Sequence, residues 1–287
     1  MAKSIRTLRA TPRTSHEAEF VRLLRGNTGR TPLHTAFSDF CELAALSFSN
    51  AVDLLQREKR EARYMAIVSK YRREEVERFP QMLAELVHMH ESEFGDHLGR
   101  LFQALELSNH WVGQFFTPYP LARLMAGMTA GDVAAQVRER GFVTVSEPAC
   151  GAGGMLIAFA EAVLDQGVNY QRAMHATAID IDALAVHMAY VQLAIRHVPA
   201  IVVHGNALTL EEWGHWVTPA HVLGGWDRRL RRPAGAATTH EVPTVDTSGT
   251  IAAQPERAET THSSHDDLPA LAREAVLARR AEQLGLF

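Results

Sequence analysis

The 287-residue chain carries a formal net charge of −4 and is 46% hydrophobic, enough to bury one good core with appendages. The negative balance excludes a protein that coats nucleic acid by bulk charge, so any such contact has to come from local patches. No apolar run approaches the roughly 18 residues that cross a bilayer, and the basic N-terminus has no apolar stretch behind it, so a soluble, cytoplasmic protein with no membrane partner is expected.

Residues 1 to 30, rich in Arg, Thr, Ser and Gly, read as a flexible arm. Residues 31–110 read as a helical N-terminal region. Thr31 followed by Pro32 is a helix start, and Phe37, Phe40, Cys41, Ala44, Ala45 and Phe48 mark one buried face of a helix over 32–55. The charge-dense segment 56–77 has Tyr64, Ile67, Val68 and Tyr71 as its apolar stripe, and Pro80 interrupts it before a further helical stretch through Met89. Phe94, Leu98, Leu101, Phe102 and Leu105 form one more stripe. From about 112 to 232 helices alternate with short apolar strands: helix 121–128, strand 142–145, helix 154–164, strand 175–179, helix 183–196 and strand 200–203. This alternation predicts an α/β fold with a parallel sheet and right-handed crossovers. Residues 233–287 read as a disordered linker, with a short helix over 267–282 and a terminal peptide.

Cys41 and Cys150 lie far apart in different kinds of segment, so neither a disulfide framework nor a metal cluster is expected, and both read as reduced thiols. Two basic patches stand out. Arg57, Lys59, Arg60 and Arg63 continue to Lys70, Arg72 and Arg73, and Arg228, Arg229, Arg231 and Arg232 form the second. Each reads either as a nucleic-acid contact or as a solvated helix face.

The densest chemistry follows the first strand, in Glu147-Pro148-Ala149-Cys150-Gly151-Ala152-Gly153-Gly154. Glycines at a strand-to-helix turn let the backbone bend tightly and leave no Cβ where a ligand must touch the main chain. No Lys-Ser/Thr follows them, and Glu147 would repel a phosphate, so a ligand with a cationic amino group fits better. Asp180 ends the second strand, where an acid accepts ribose hydroxyls, and Asn206 follows the third, where an amide reads an adenine edge. Together they describe a pocket for S-adenosylmethionine. Taken singly, the glycines are also a tight turn, Asp180 a helix cap and Asn206 a turn residue.

Gly113-Gln114-Phe115-Phe116-Thr117-Pro118, followed about 30 residues later by the Glu147–Gly154 segment, resembles the N6-adenine DNA methyltransferase family, in the modification subunit of type I restriction-modification systems. The preceding Phe94–Phe102 helix is similar too, so the resemblance covers about residues 90 to 210. It implies a Rossmann-like, S-adenosylmethionine-dependent methyltransferase core, with DNA as substrate and a specificity or restriction subunit as partner. By position, it implies that Phe116, Thr117 and Pro118 border the methionine end of the cofactor. Glu147 and the Gly151 to Gly153 loop would hold the amino-acid portion, Asp180 the ribose and Asn206 the adenine. Asn206 stands where the family usually has Asp, and its oxygen can still accept from the adenine amino group.

The family's catalytic motif, an amide or acid followed by Pro, Pro and an aromatic, does not occur in this sequence. The nearest register is Thr218-Pro219-Ala220-His221, which makes Thr218, Pro219 and His221 the catalytic candidates. With 233–287 read as disordered, the parallel sheet is expected to be incomplete. A noncatalytic, DNA-associated accessory protein that keeps the fold is therefore the alternative. The C-terminal Gln283-Leu284-Gly285-Leu286-Phe287 resembles the short peptide by which replication and repair proteins dock on the DNA sliding clamp, although it also reads as a helix end packed on the body.

Overall fold

A computed structural model describes residues 14–105, 107 and 116–231. Of the expected arm, residues 1–13 lie outside the described residues, and most of the remainder is helical. Thr14 caps α1 (Ser15–Gly26) by accepting from Glu17 N, and Phe20, Leu23 and Leu24 of that helix are buried. Their helical spacing is present in the sequence among charged neighbours. α2 (Leu33–Asn50) follows Pro32 as expected but stops five residues short of 55, and α3 (Arg57–Val68) and α4 (Arg73–Val76) divide the charge-dense segment. Pro80 does not interrupt a helix. It lies in the first turn of α5 (Arg78–Ser92), where a proline forfeits no intrahelical bond. α6 (His97–Ala104), capped by Asp96, completes the helical region.

Next come α7 (Tyr119–Thr129), α8 (Val133–Arg140), β1 (Val143–Glu147), α9 (Gly154–Asp165), α10 (Tyr170–Ala173) and β2 (Met174–Asp180). They are followed by α11 (Ala183–Ile195), β3 (Ala200–Asn206), β4 (Glu211–Val217), α12 (Pro219–Leu223) and α13 (Trp226–Leu230). The sheet order is β1-β2-β3-β4, with β1, β2 and β3 parallel. Their carboxyl ends, Glu147, Asp180 and Asn206, therefore emerge on one side. β4 departs from the expected all-parallel sheet: it runs antiparallel to β3 and returns the chain to the amino ends of the parallel strands.

α11 is apolar on every side but for His187 and Gln192 and buried from Leu184 to Ala194, packed between the sheet and α2. On the other face Trp226 of α13 is fully buried, with ring centroids 5.2 Å from both Phe142 and His175. α7 packs on α9 through Ala122 and Ala126 and leaves Leu121, Leu124, Met125 and Met128 exposed. Among the described residues, no helix is long and apolar enough to cross a membrane. The linker and helix expected over 233–287, the terminal peptide Gln283–Phe287, the residues Gly113 to Phe115 and Arg232 lie outside the described residues.

Candidate cofactor site

The loop after β1 and the acid after β2 meet directly. Gly151 N donates to Asp180 Oδ2 at 2.8 Å, and Asp182 N donates to Asp180 Oδ1 at 2.9 Å. The tight turn needs its glycines: Gly151 (φ +53°) and Gly153 (φ +90°) are in the left-handed region. A Cβ on Gly151 would stand 2.8 Å from the Phe116 ring, and one on Gly153 3.3 Å from Ala189 of α11. Helix α9 starts from this loop, so its first backbone N–H groups point back toward the site.

Glu147 closes one side. It is half-buried and accepts from Ala149 N at 3.3 Å. Burial pushes its carboxyl above the usual range, the Ala149 N–H opposes this, and the negative charge of Asp180 adds to the upward push. Two neighbouring acids and no basic side chain in the Glu147–Gly154 segment make a cradle for a cationic group, not for a phosphate.

Phe116 is buried over Gly151, its ring edge-on to Phe102 at 5.4 Å and its carbonyl accepting from Gln103 Nε2 at 2.9 Å. Thr117 and Pro118 are exposed beside it, and Pro118 caps α7. Asn206 follows β3 on the same side of the sheet, but its Oδ1 accepts from Leu208 N at 3.0 Å and Thr209 N at 3.4 Å. The oxygen assigned to adenine from sequence is therefore also the acceptor of a turn, and Nδ2 is the amide atom outside that turn. Asp182, not Asp180, caps α11, through Leu184 N at 3.1 Å.

The catalytic candidates lie at the other end of the sheet. Thr218 is fully buried, donates to Val198 O at 2.9 Å and accepts from Ala200 N at 2.9 Å, at the amino end of β3. Pro219 opens α12, and His221 is buried with Nδ1 2.9 Å from His175 Nε2 near the amino end of β2. The glycine loop follows a carboxyl end, so the antiparallel return of β4 carries this register away from it.

In the first basic patch Arg60, Arg63 and Lys70 are engaged within the fold, while Arg57, Lys59, Arg72 and Arg73 are exposed. Arg60 bonds Ser49, Asp53 and the His215 carbonyl and stacks on Trp216, while Arg63 forks onto Glu42 and Lys70 faces Asp39. In the second patch Arg229 lies 3.6 Å over Trp226 and donates to Arg172 O, while Arg228 and Arg231 are exposed. Cys41 and Cys150 are free and buried.

Gln192 was not anticipated. It is fully buried on α11 and donates through Nε2 to Ala152 O and to Asp96 Oδ1, both at 2.8 Å. Its signal in the sequence is a polar residue inside an otherwise apolar helix, one of only two in α11 beside His187.

Residues 91–223 match the family model of N-6 DNA methylases. No curated protein matches. A Listeria monocytogenes structure of the class I S-adenosylmethionine-dependent methyltransferase type aligns at 17% identity with a TM-score of 0.38, over 67% of this chain and 53% of that one. The chain thus spans about half the length of that structure.

Proposed function

Taking residues 91–223 as a segment of the N-6 DNA methylase family, we propose that the chain binds S-adenosylmethionine and serves methylation of the adenine N6 amino group in DNA. The observation that carries this reading is the 2.8 Å bond from Gly151 N to Asp180 Oδ2, which joins the loop after β1 to the acid after β2 in one cradle. Glu147 and the Gly151 to Gly153 loop hold the amino-acid portion and Asp180 the ribose, while Asn206 faces the adenine. Phe116, Thr117 and Pro118 border the methionine end. The acids Glu147 and Asp180 complement a cationic ammonium and sulfonium. When bound, the cofactor supplies an electrophilic methyl group. This chain's residues fix its orientation. DNA and a specificity or restriction subunit, met in the cytoplasm, are the partners this reading implies.

The test is calorimetric titration of the full chain with S-adenosylmethionine, beside a Gly151→Asp/Asp180→Ala double variant. Binding by the wild type that the variant loses supports the cradle, and transfer of labelled methyl to adenine-containing DNA is then assayed. A folded wild-type chain that takes up no cofactor sinks the proposal.

A specific observation favours a second reading, a noncatalytic DNA-associated accessory protein. The amide-Pro-Pro-aromatic motif is missing from the sequence, and the hydroxyl of Thr218 in the nearest register is engaged by Val198 and Ala200 at the far end of the sheet. Clamp docking through Gln283, Leu284, Leu286 and Phe287 belongs to this reading. Deleting the last five residues and measuring retention on immobilised sliding clamp tests it; unchanged retention removes that element.

A further inference from the structure

A fully buried amide has to find partners inside the protein, because each one left unmade costs its desolvation. Gln192 engages both ends of its amide in three directions. Oε1 accepts from Leu98 N at 3.1 Å, and Nε2 donates to Asp96 Oδ1 and to Ala152 O. Asp96 in turn caps α6, accepting from Gly99 N at 2.8 Å. Its carboxylate lies against the first residue of α9, where a Cβ on Gly154 would stand 3.2 Å from Oδ2. A negative group there suits the positive end of the helix dipole.

The Ala152 carbonyl is the informative partner. Ala152 sits between the two left-handed glycines Gly151 and Gly153, so the orientation of its peptide groups sets the shape of the turn. From the front, Asp180 holds the Gly151 N–H; from behind, Gln192 holds the Ala152 carbonyl. A glycine-rich turn has many backbone conformations to lose, so two such anchors decide whether it is already formed when a ligand arrives. Packing alone does not call for this arrangement. An apolar residue on α11 would fill the space but leave the Ala152 carbonyl, the Leu98 N–H and Asp96 without their partner.

We infer that Gln192 and Asp96 are positioning residues of the cofactor loop, making α6 of the helical N-terminal region part of the site. The inference rests on the reading of that loop as the holder of the amino-acid portion of S-adenosylmethionine. Its readout is therefore selective. Methylthioadenosine keeps the nucleoside and lacks the amino-acid end, so it depends on Asp180 and Asn206 but not on the loop.

The experiment titrates wild type and Gln192→Met with S-adenosylmethionine and with methylthioadenosine, and checks folding by circular dichroism. Methionine keeps the volume and removes the amide. Affinity for S-adenosylmethionine falls about tenfold, the size of one lost buried hydrogen bond, while that for methylthioadenosine stays within about twofold. Should Gln192→Met not fold, Asp96→Ser keeps an acceptor for Gly99 N yet is too short to reach Gln192, and the same selective loss is expected. Equal weakening of both ligands, no weakening of either, or loss of fold in both variants reduces the pair to packing residues and overturns the inference alone. A wild-type chain that binds neither ligand overturns the cofactor reading and this inference with it.

Discussion

Replacing Thr218 by Val separates a structural from a catalytic role at the one register that resembles the family motif. Valine keeps the β-branched shape, so no cavity opens in a site that is fully buried. What it removes is one hydroxyl with three contacts: a donation to Val198 O at 2.9 Å, and acceptances from Ala200 N at 2.9 Å and His221 N at 3.3 Å. The Ala200 N–H is left without that acceptor in a dry environment, which costs about 1 to 3 kcal/mol, and losing the helix cap adds about 1 kcal/mol. A destabilisation of about 3 kcal/mol follows, lowering the urea midpoint by about 1 M or more. Affinity for S-adenosylmethionine stays unchanged below the unfolding transition, because the hydroxyl lies at the amino end of β3 and the cradle at the carboxyl ends. Urea unfolding and calorimetric titration of the same preparation decide it. A variant that keeps its stability within about 0.5 kcal/mol yet loses cofactor binding or methyl transfer refutes the structural assignment.

Asp180→Asn replaces the charged acceptor of two loop N–H groups and removes half of the acidic cradle, so cofactor affinity falls about 10- to 100-fold, read by calorimetry. Trp226→Ala strips the ring that packs on Phe142 and His175 and lies under Arg229, at about 3 to 5 kcal/mol of stability with loss of its near-ultraviolet signal. Acid destabilises the fold through buried histidines: burial holds His97 and His187 down at about 4. A depressed folded value means that both stay neutral in the native state and charge only on unfolding, so stability is full above the unfolded pKa and declines as pH falls below it. At pH 5 this amounts to about 2 kcal/mol for each, and His97→Gln reduces the slope of unfolding free energy between pH 6.5 and 5.

The parts of the fold that depend on neighbours in sequence were legible, and those that depend on distant neighbours were not. The helix 154–164 and the strands 142–145 and 175–179 showed themselves because a parallel sheet covered by helices is built from short segments rich in Val, Ala and Ile. The glycine loop and Asp180 were legible for a different reason: a left-handed turn at a strand end admits few residue types, and its acceptor must lie on the next strand end. β4 was hidden because Glu211-Glu212-Trp213-Gly214-His215-Trp216-Val217 is an exposed to half-buried edge strand, with no apolar run to announce it. Its direction, which decides where Thr218 ends up, is fixed by pairing with β3 and leaves no mark on local pattern. α8 escaped because only Val133 of its eight residues is buried. The three contacts of Gln192 reach 40, 94 and 96 residues along the chain, beyond anything spacing can register.

The direction of winding bears on how far cofactor binding implies methyl transfer. From β1 to β2 to β3 each parallel crossover steps the same way across the sheet, so among the described residues β1 is an edge strand. Ligand crevices in open α/β sheets form where the strand order reverses, with one wall on each side of the switch. The groups assigned to the cofactor, the Gly151 to Gly153 loop, Asp180 and Asn206, follow β1 or lie on the β2 and β3 side of it and supply one wall. A base presented for methylation needs amide and aromatic groups on the other wall, beyond β1, and the described residues place no strand there. On the proposed reading, cofactor binding and transfer are therefore separable. Titration is expected to give a saturable S-adenosylmethionine site in preparations that leave adenine-containing DNA unlabelled. Incorporation by the purified chain alone at about 1 per second, an ordinary enzymatic turnover, would refute this and place an acceptor wall within its own 287 residues.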